Sequence, residues 1–446
     1  MSDESSVMGL EQRGRIKRLQ AKFNWEQEET MNATKPFDIS KLLVMDAYKA
    51  VKANGGTAGI DKQSIADFEL DLKDNLYKIW NRMSSGTYFA PPVKAVAIPK
   101  KSGGERILGV PTVADRVAQM VVKRIFEPTI EPFFLPDSYG YRPGKSALDA
   151  IGVTRQRCWY HDWVLEWDIK GLFDNISHEL LLKAVKKHTD NKWVLLYIER
   201  WLKAPMQLAD GGLVERTKGT PQGGVVSPCL SNLFLHYAFD AWMGRAFPGV
   251  PWCRYADDGL VHCKTEQEAL AIRAALEARL AECGLTLHPE KTKIVYCKDG
   301  KRKGMYPVTE FDFLGYTFRP RKAMNSKRKS LFVSFTPAVS ATAVKAMRQN
   351  TRKRNFRNRT DLEPADFARI YNPVLRGWFE YYGRYNPSAM DSVFKHFNKT
   401  LVMWAMRKYS GFYRNKKRAS AFVKGMAKRQ PRLFFHWQRG IFSASA

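Results

Sequence analysis

Three carboxylates mark the chemistry this sequence can do. Asp257 and Asp258 stand side by side in WCRYADDGLVHC, Trp252 to Cys263, and Asp168 closes the apolar run VLEWD. A strand-end Asp presents its carboxylate rigidly, and a hairpin tip can lift two more towards it. Such a set can hold two Mg2+ ions, which favour a few carboxylates and keep other positions for phosphate oxygens. Two ions about 3.5–4 Å apart activate an attacking hydroxyl and stabilise a leaving oxygen in phosphoryl transfer. A plainer reading stands beside this one. Asp-Gly between apolar runs is a strong hairpin signal, because Gly accepts positive φ and Asp tolerates it. On that reading Asp258-Gly259 makes the turn and Asp257 is a spare charge; on the metal-site reading Asp257 is the firmer ligand of the pair, because the turn competes for Asp258.

Two nearby acids belong to the same question. Glu166 shares a strand face with Asp168 by the two-residue period and can approach the site. Asp174 reads as a capping residue for the helix that includes HELLLKAV.

The elements that position these residues follow from patterning. FDISKLLVMDAYKAVKANGG predicts a helix, started by Asp38 or Ser40 and stopped by its glycines. A second helix is expected over about Ile65 to Met83. VKAVAIPKKSGGERILGVP predicts two strands around a basic turn, and WVLEWDI one strand. VVSPCLSNLFLHYAFDAWM predicts a helix whose early Pro fits the first turn. EQEALAIRAALEARLAECG predicts an amphipathic helix ending at Gly284, and FDFLGYTFRP a strand. NWEQEETMNATKP, Asn24 to Pro36, reads as a linker or loose arm. The order favours an α+β catalytic body followed by a basic α-helical region from about Pro320.

Charge supports that division. The 446 residues carry 73 Lys+Arg against 44 Asp+Glu, a net +29. Arg321 to Ala446 holds 28 of the basic residues and 5 of the acidic ones, so most of the excess lies in that stretch. A near-neutral body joined to a polyanion-binding part is the expectation, with nucleic acid as partner. No apolar core of signal-peptide type opens the chain, and no run approaches about 18 apolar residues, so a membrane is not expected. Six cysteines, at 158, 229, 253, 263, 283 and 297, form no C-x-x-C pair and suit a reducing cytosol.

YADD and the Asp168 strand resemble the palm motifs of reverse transcriptases. GTAGIDKQSI, AIPKKSGGERILGVPTVADRVAQ, DSYGYRPGKSALDAI, EWDIKGLFDNI, GTPQGGVVSPCLSNLFLHYAFD, CRYADDGLVHC, LTLHPEKTKIV and FDFLGYTF follow one another as in group II intron reverse transcriptases. The series covers about Gly55 to Phe318. LEPADFARIYNPVLRGWFEYYGRY resembles the maturase, or X, region that forms the thumb of that family. The resemblance implies a right-hand polymerase: an N-terminal arm at 1–36, fingers and palm at 37–319, thumb and maturase region at 320–398, and a basic DNA-binding region at 399–446. It implies RNA-directed DNA synthesis in a bacterial cytosol or nucleoid, with help to intron splicing and mobility. The implied partners are a group II intron RNA, an RNA template with its DNA primer, a DNA target and dNTPs. Two alternatives stay open: a splicing-only maturase with an idle polymerase site, and a reverse transcriptase co-opted for host defence.

The resemblance also assigns roles. Asp168, Asp257 and Asp258 carry two Mg2+ ions, with the Ile169 carbonyl as a further ligand. Lys100 and Arg106, on the basic turn PKKSGGER, grip the triphosphate. Phe173 lies under the nucleotide sugar and blocks a 2′-hydroxyl. Gln222, in GTPQGG, sits near the templating pair, and Lys291 or its neighbour Lys293 near the leaving pyrophosphate. Arg142 and Lys145 either touch the template or hold their loop. The apolar stripe Tyr371, Leu375, Trp378, Phe379 and Tyr382 reads as thumb core at helical spacing, and Arg369, Arg376 and Arg384 as contacts to a nucleic-acid backbone. The sequence departs from the fuller family pattern after FFHWQRG, where no paired-cysteine endonuclease follows. Target cleavage by this chain is therefore not expected.

Overall fold

The computed structural model describes residues 35–99, 104–325 and 330–444. Lys100, and most of the arm at 1–36, lie outside them. The described residues fall into two compact units: those up to 143, with 169–248 and 276–287, form the first; 144–168, 249–275 and those from 288 onward form the second. In chain order the strands are β1 (Val93–Pro99), β2 (Glu105–Val110), β3 (Trp163–Trp167), β4 (Met206–Gln207), β5 (Leu213–Val214), β6 (Trp252–Tyr255), β7 (Asp258–Cys263), β8 (Lys293–Tyr296), β9 (Phe311–Phe313), β10 (Tyr316–Asn325) and β11 (Ser330–Val339).

The first unit joins a helical cluster to the sheet β2-β1-β4-β5. Its first helix spans Lys41–Asn54, and Ser40 rather than Asp38 caps it, Oγ accepting from the Leu43 N–H at 3.1 Å. The helix expected over Ile65 to Met83 is broken into Ile65–Leu70 and Leu72–Ser84, because Asp71 leaves helical geometry at φ −118°, ψ 43°. Asn75 Nδ2 then donates to the carbonyl of Phe68 at 3.0 Å, satisfying a group that the break leaves without its helical partner. Helix Val113–Ile130 runs through the middle of the unit. Its buried Asp115 accepts from Tyr88 Oη, Trp201 Nε1 and Gln119 Nε2 at 2.8–2.9 Å. Gln119 Oε1 in turn accepts the Val225 N–H at 2.7 Å, so this relay fixes the end of the GTPQGG loop.

The helix expected from Val225 to Met243 is also interrupted. It runs α over Ser227–Leu235, widens to a π turn at His236–Asp240, and resumes over Ala241–Ala246. Arg279 meets this turn. Its guanidinium donates to the carbonyls of Tyr237 at 3.1 Å and Ala238 at 3.2 Å, and so ties the turn to helix Glu266–Glu282.

The second unit contains the sheet β6-β7-β3-β8 and the antiparallel sheet β11-β10-β9. β3 lies inside its sheet and is buried at every position but Glu166. FDFLGYTFRP is a hairpin and not one strand: Phe313 pairs with Tyr316, and Leu314 and Gly315 both take positive φ, 51° and 81°. Two positive-φ residues in a two-residue loop match the right-handed twist of the flanking strands.

Helix Ala147–Tyr160 also belongs to this unit, and four helices follow its sheets: Ala341–Lys353, Pro364–Tyr382, Asp391–Lys408 and Lys416–Arg429. These four form a bundle. They share one core that runs from Val339 to Trp437, with Phe367, Leu375, Phe397 and Trp404 near its centre. Within the stripe expected as core, Tyr371 and Leu375 are buried, and Trp378, Phe379 and Tyr382 pack on them half-buried. The division expected at Lys399 falls inside helix Asp391–Lys408, and the core continues across it. Buried Asn398 ties the C-terminal segment to that helix. Its Nδ2 donates to the carbonyls of Ile441 and Ser443, and its Oδ1 accepts from Trp437 Nε1 at 2.9 Å.

Candidate active site

The hairpin that carries the acidic pair turns two residues earlier than Asp258-Gly259. Tyr255 pairs with Asp258, so the two turn residues are Ala256 and Asp257. Ala256 takes the left-handed backbone, φ 57°, which costs a residue with a Cβ roughly 1 kcal/mol. Asp258 is therefore the first residue of β7, and its carboxylate is placed by strand pairing. Gly259 serves a different purpose. It pairs with Trp167 of β3, and a Cβ there would collide with the indole ring. The glycine lets the central strand keep a fully buried tryptophan directly behind the site.

β3 and β7 run antiparallel from Trp163 opposite Cys263 to Trp167 opposite Gly259. One further step of that register sets Asp168 across from Asp258. The Asp168 carbonyl accepts the His288 N–H at 2.8 Å, which fixes the backbone just beyond the strand. Asp168 Oδ2 pairs with Lys291 Nζ at 2.6 Å, with the Asp168 side chain mostly covered and the lysine largely exposed. A small cleft of about 120 Å³ opens here, bounded by Glu166, Asp168, Asp258, Lys291, Lys293 and Asp312.

The electrostatics are those of crowded acids. Asp258 keeps an open face to solvent, yet the protein around it removes enough water to push its carboxyl up to about 7, with Asp257 and Asp168 adding repulsion against Lys291. Burial pushes Glu166 up to about 8, Lys293 opposing it and Asp312, Asp258 and Asp168 reinforcing it. Its Oε2 is buried and accepts no hydrogen bond among the described residues. The hydrogen bond to Asp168 holds the Lys291 ammonium above its ordinary range. The donors are all oxygens, their repulsion calls for cations, and an ammonium already answers it at Asp168. That set fits Mg2+ in kind. Among the described residues no group of three or more His, Cys, Asp and Glu forms a ready-made cage for an ion.

The first unit assembles a second cluster. Arg106 Nε donates to Gln222 Oε1, and Gln222 Nε2 donates to Asp174 at 3.3 Å. Asp174 thus receives a side chain instead of capping a helix; Ser177 caps helix His178–His188, Oγ accepting from the Leu180 N–H. Sequence patterning missed this role, since the three partners are far apart in the chain. Phe173 is buried, and its carbonyl accepts the Thr220 N–H at 2.7 Å. Gly219, at φ 81°, lies so close that a Cβ would stand 2.7 Å from the Phe173 carbonyl oxygen. Gly109 N–H donates to the Gln222 carbonyl at 2.9 Å and pins the loop to β2. Ile169 is buried and bridges to Leu287.

Arg142 holds its own loop: it donates to Glu131 at 2.7 Å and to the carbonyls of Leu135 and Ser138, each at 2.7 Å. Arg369, Arg376 and Arg384 are exposed on or beside helix Pro364–Tyr382, and Arg369 also pairs with Asp366. Among the described residues no helix is long and apolar enough to cross a membrane.

Comparison with known proteins agrees with this arrangement. Residues 98–318 match the reverse transcriptase (RNA-dependent DNA polymerase) family, and residues 344–421 the maturase-specific domain of group II introns. Protein YkfC of Escherichia coli K12 is 32% identical over 287 residues, 55% of this chain and 74% of YkfC. The group II intron-encoded protein LtrA of Lactococcus lactis is 34% identical over 193 residues, 43% of this chain and 32% of LtrA. A 91 kDa protein in a cob intron of Schizosaccharomyces pombe is 31% identical over 210 residues, 46% of this chain and 25% of that protein. The chain thus spans most of YkfC and a third or less of these two intron proteins. The polymerase match, the maturase-specific domain after it and these relatives place the chain in the family of group II intron-encoded reverse transcriptases.

Proposed function

We propose that this chain is an RNA-directed DNA polymerase that also binds a group II intron RNA and assists its splicing and mobility. The observation that carries the polymerase reading is the β3–β7 register, which sets Asp168 across from Asp258 at an open sheet end. The reaction is attack of a primer 3′-hydroxyl on the α-phosphate of a dNTP, with release of pyrophosphate. Two Mg2+ ions, when bound, would supply hydroxyl activation and neutralisation of charge on the leaving oxygens. Asp168 and Asp258 would hold them, with Asp257 at the turn and the Ile169 carbonyl as further oxygens.

Positioning does most of the remaining work in this chemistry. Lys291 orients Asp168 and brings positive charge to the departing pyrophosphate. Lys100 and Arg106 grip the triphosphate, Arg as a planar fork and Lys as a point charge. Gln222, held between Arg106 and Asp174, meets the templating pair. Phe173 lies under the sugar and rejects a 2′-hydroxyl. Fingers and palm extend to 319, the thumb and maturase region follows, and the cations towards the C-terminus of the same bundle take a DNA target. A bacterial cytosol is the working compartment.

Primer extension on an RNA template with Mg2+ tests the polymerase, and splicing of the flanking intron is scored separately. Wild type should extend, and Asp257→Ala/Asp258→Ala should not. Absence of extension by wild type overturns the polymerase reading. Splicing retained by the double variant separates the RNA-binding role from catalysis.

A further inference from the structure

The first unit carries a groove of about 320 Å³ that the polymerase chemistry does not use. It lies between helix His178–His188, the π turn at His236–Asp240 and the end of helix Glu266–Glu282. Its floor is apolar: Leu180, Ala184, Phe234, Ala238 and Cys283. Leu180, Ala184 and Lys187 follow one another at helical spacing, so the stripe runs roughly 10 Å along one helix face. That is the shape for a chain segment.

The rim carries the charge. Lys183 and Lys187 are exposed, and neither is ion-paired among the described residues. Lys187 Nζ stands 5.0 Å over the ring of Tyr237. Across the groove, Glu282 is matched by Arg279 at 2.9 Å, so the unbalanced charge is that of the two lysines. An aliphatic floor suits nucleic acid poorly. The Phe234 ring is buried and offers no face for stacking, and a phosphodiester would lose water over the floor without gaining a partner. The complementary ligand is a polypeptide segment with one large apolar anchor and several carboxylates close to it.

The chain has such a segment before Lys35. Asn24 to Met31, NWEQEETM, puts Trp25 beside Glu26, Glu28 and Glu29 in a sequence whose net charge is +29. It can reach. The Phe37 ring rests 6.4 Å from Tyr197 on helix Lys192–Lys203, and that helix packs on helix His178–His188. Two helix spacings amount to roughly 20 Å. The stretch from Trp25 to Phe37 can extend about 40 Å. We infer that this groove docks the chain's own acidic segment Asn24–Met31, Trp25 filling the apolar floor and its glutamates meeting Lys183 and Lys187.

The test places the photocrosslinker p-benzoylphenylalanine at position 25 of the full chain, with products mapped by mass spectrometry. Crosslinks within one chain should fall on 180–187 and 234–238. Lys183→Glu/Lys187→Glu should cut their yield at least fivefold, with circular dichroism showing the fold intact. Adding Glu26→Lys, Glu28→Lys and Glu29→Lys to that variant should restore the yield. Crosslinks confined to other regions, none at all, or a yield indifferent to charge reversal would overturn the assignment. So would crosslinks that join two copies and rise with protein concentration.

Discussion

Lys291 Nζ lies 2.6 Å from Asp168 Oδ2, a cation of the chain itself standing at the carboxylates. It relieves repulsion among the acids and also competes with any ion that needs the same oxygen. Lys291→Met therefore frees Asp168 as a ligand while removing positive charge from the site. The expected outcome is Mg2+ binding several-fold tighter in calorimetric titration without nucleotide, with the extension rate lower by about 10–100-fold. Unchanged Mg2+ affinity would show that the pair does not compete.

Asp258 is costly to the fold and needed by the reaction. Its carboxyl titrates near 7 in the folded chain, above the ordinary carboxylate range, so ionising it weakens the folded state as pH rises through that window. Asp258→Asn should stabilise the metal-free protein at pH 8, by less than about 1 kcal/mol because its open face is screened. The same change should abolish extension. Denaturant titration in chelator and primer extension read the two effects separately.

Gly259 is fixed by contact with Trp167 and not by turn geometry. Gly259→Ala should destabilise by about 3 kcal/mol or more, since neither a paired strand nor a buried indole can give way. Adding Trp167→Leu should recover part of that loss, a coupling that denaturant titration detects as non-additivity. Additive effects would mean that the two residues do not meet.

Phe173 is buried, with its backbone held by Thr220. Phe173→Ala should raise ribonucleotide incorporation relative to deoxynucleotide by at least tenfold in a sugar-competition assay. Unchanged selectivity would remove Phe173 from that role.

The C-terminal bundle should be labile in acid. Burial lowers the His436 imidazole to about 3, and Oδ1 of Asn398 accepts from its Nε2 at 2.6 Å. The unfolded chain binds a proton near pH 6.5 that the folded chain refuses, so stability falls as pH drops below about 6.5, approaching about 1.4 kcal/mol per pH unit. His436→Gln should flatten that slope in pH-dependent melting, whatever it does to stability at pH 8.

Local features of this fold were legible in the sequence because local groups make them. Ser40 caps its helix with an oxygen three residues from the N–H it serves, and VLEW forms a strand between two other strands. Asp168 could be placed because an acid that ends an apolar strand has few bland explanations. The turn was misplaced by two residues for a long-range reason: Asp-Gly does signal a turn, but this glycine answers to Trp167, far away in the chain. The π turn was hidden likewise, since its carbonyls meet Arg279 from a distant helix. Asp174 looked like a cap because nothing local reveals that Gln222 will reach it.

The unbroken core from Val339 to Trp437 makes the basic end and the bundle a single thermodynamic body. A polyanion seated on the cations of Lys416–Arg429 is then linked to the folding of helix Pro364–Tyr382 through shared packing. Grip becomes measurable as melting temperature: ligand at a hundred times its dissociation constant adds about 2.7 kcal/mol to whatever unfolds as a unit with its site.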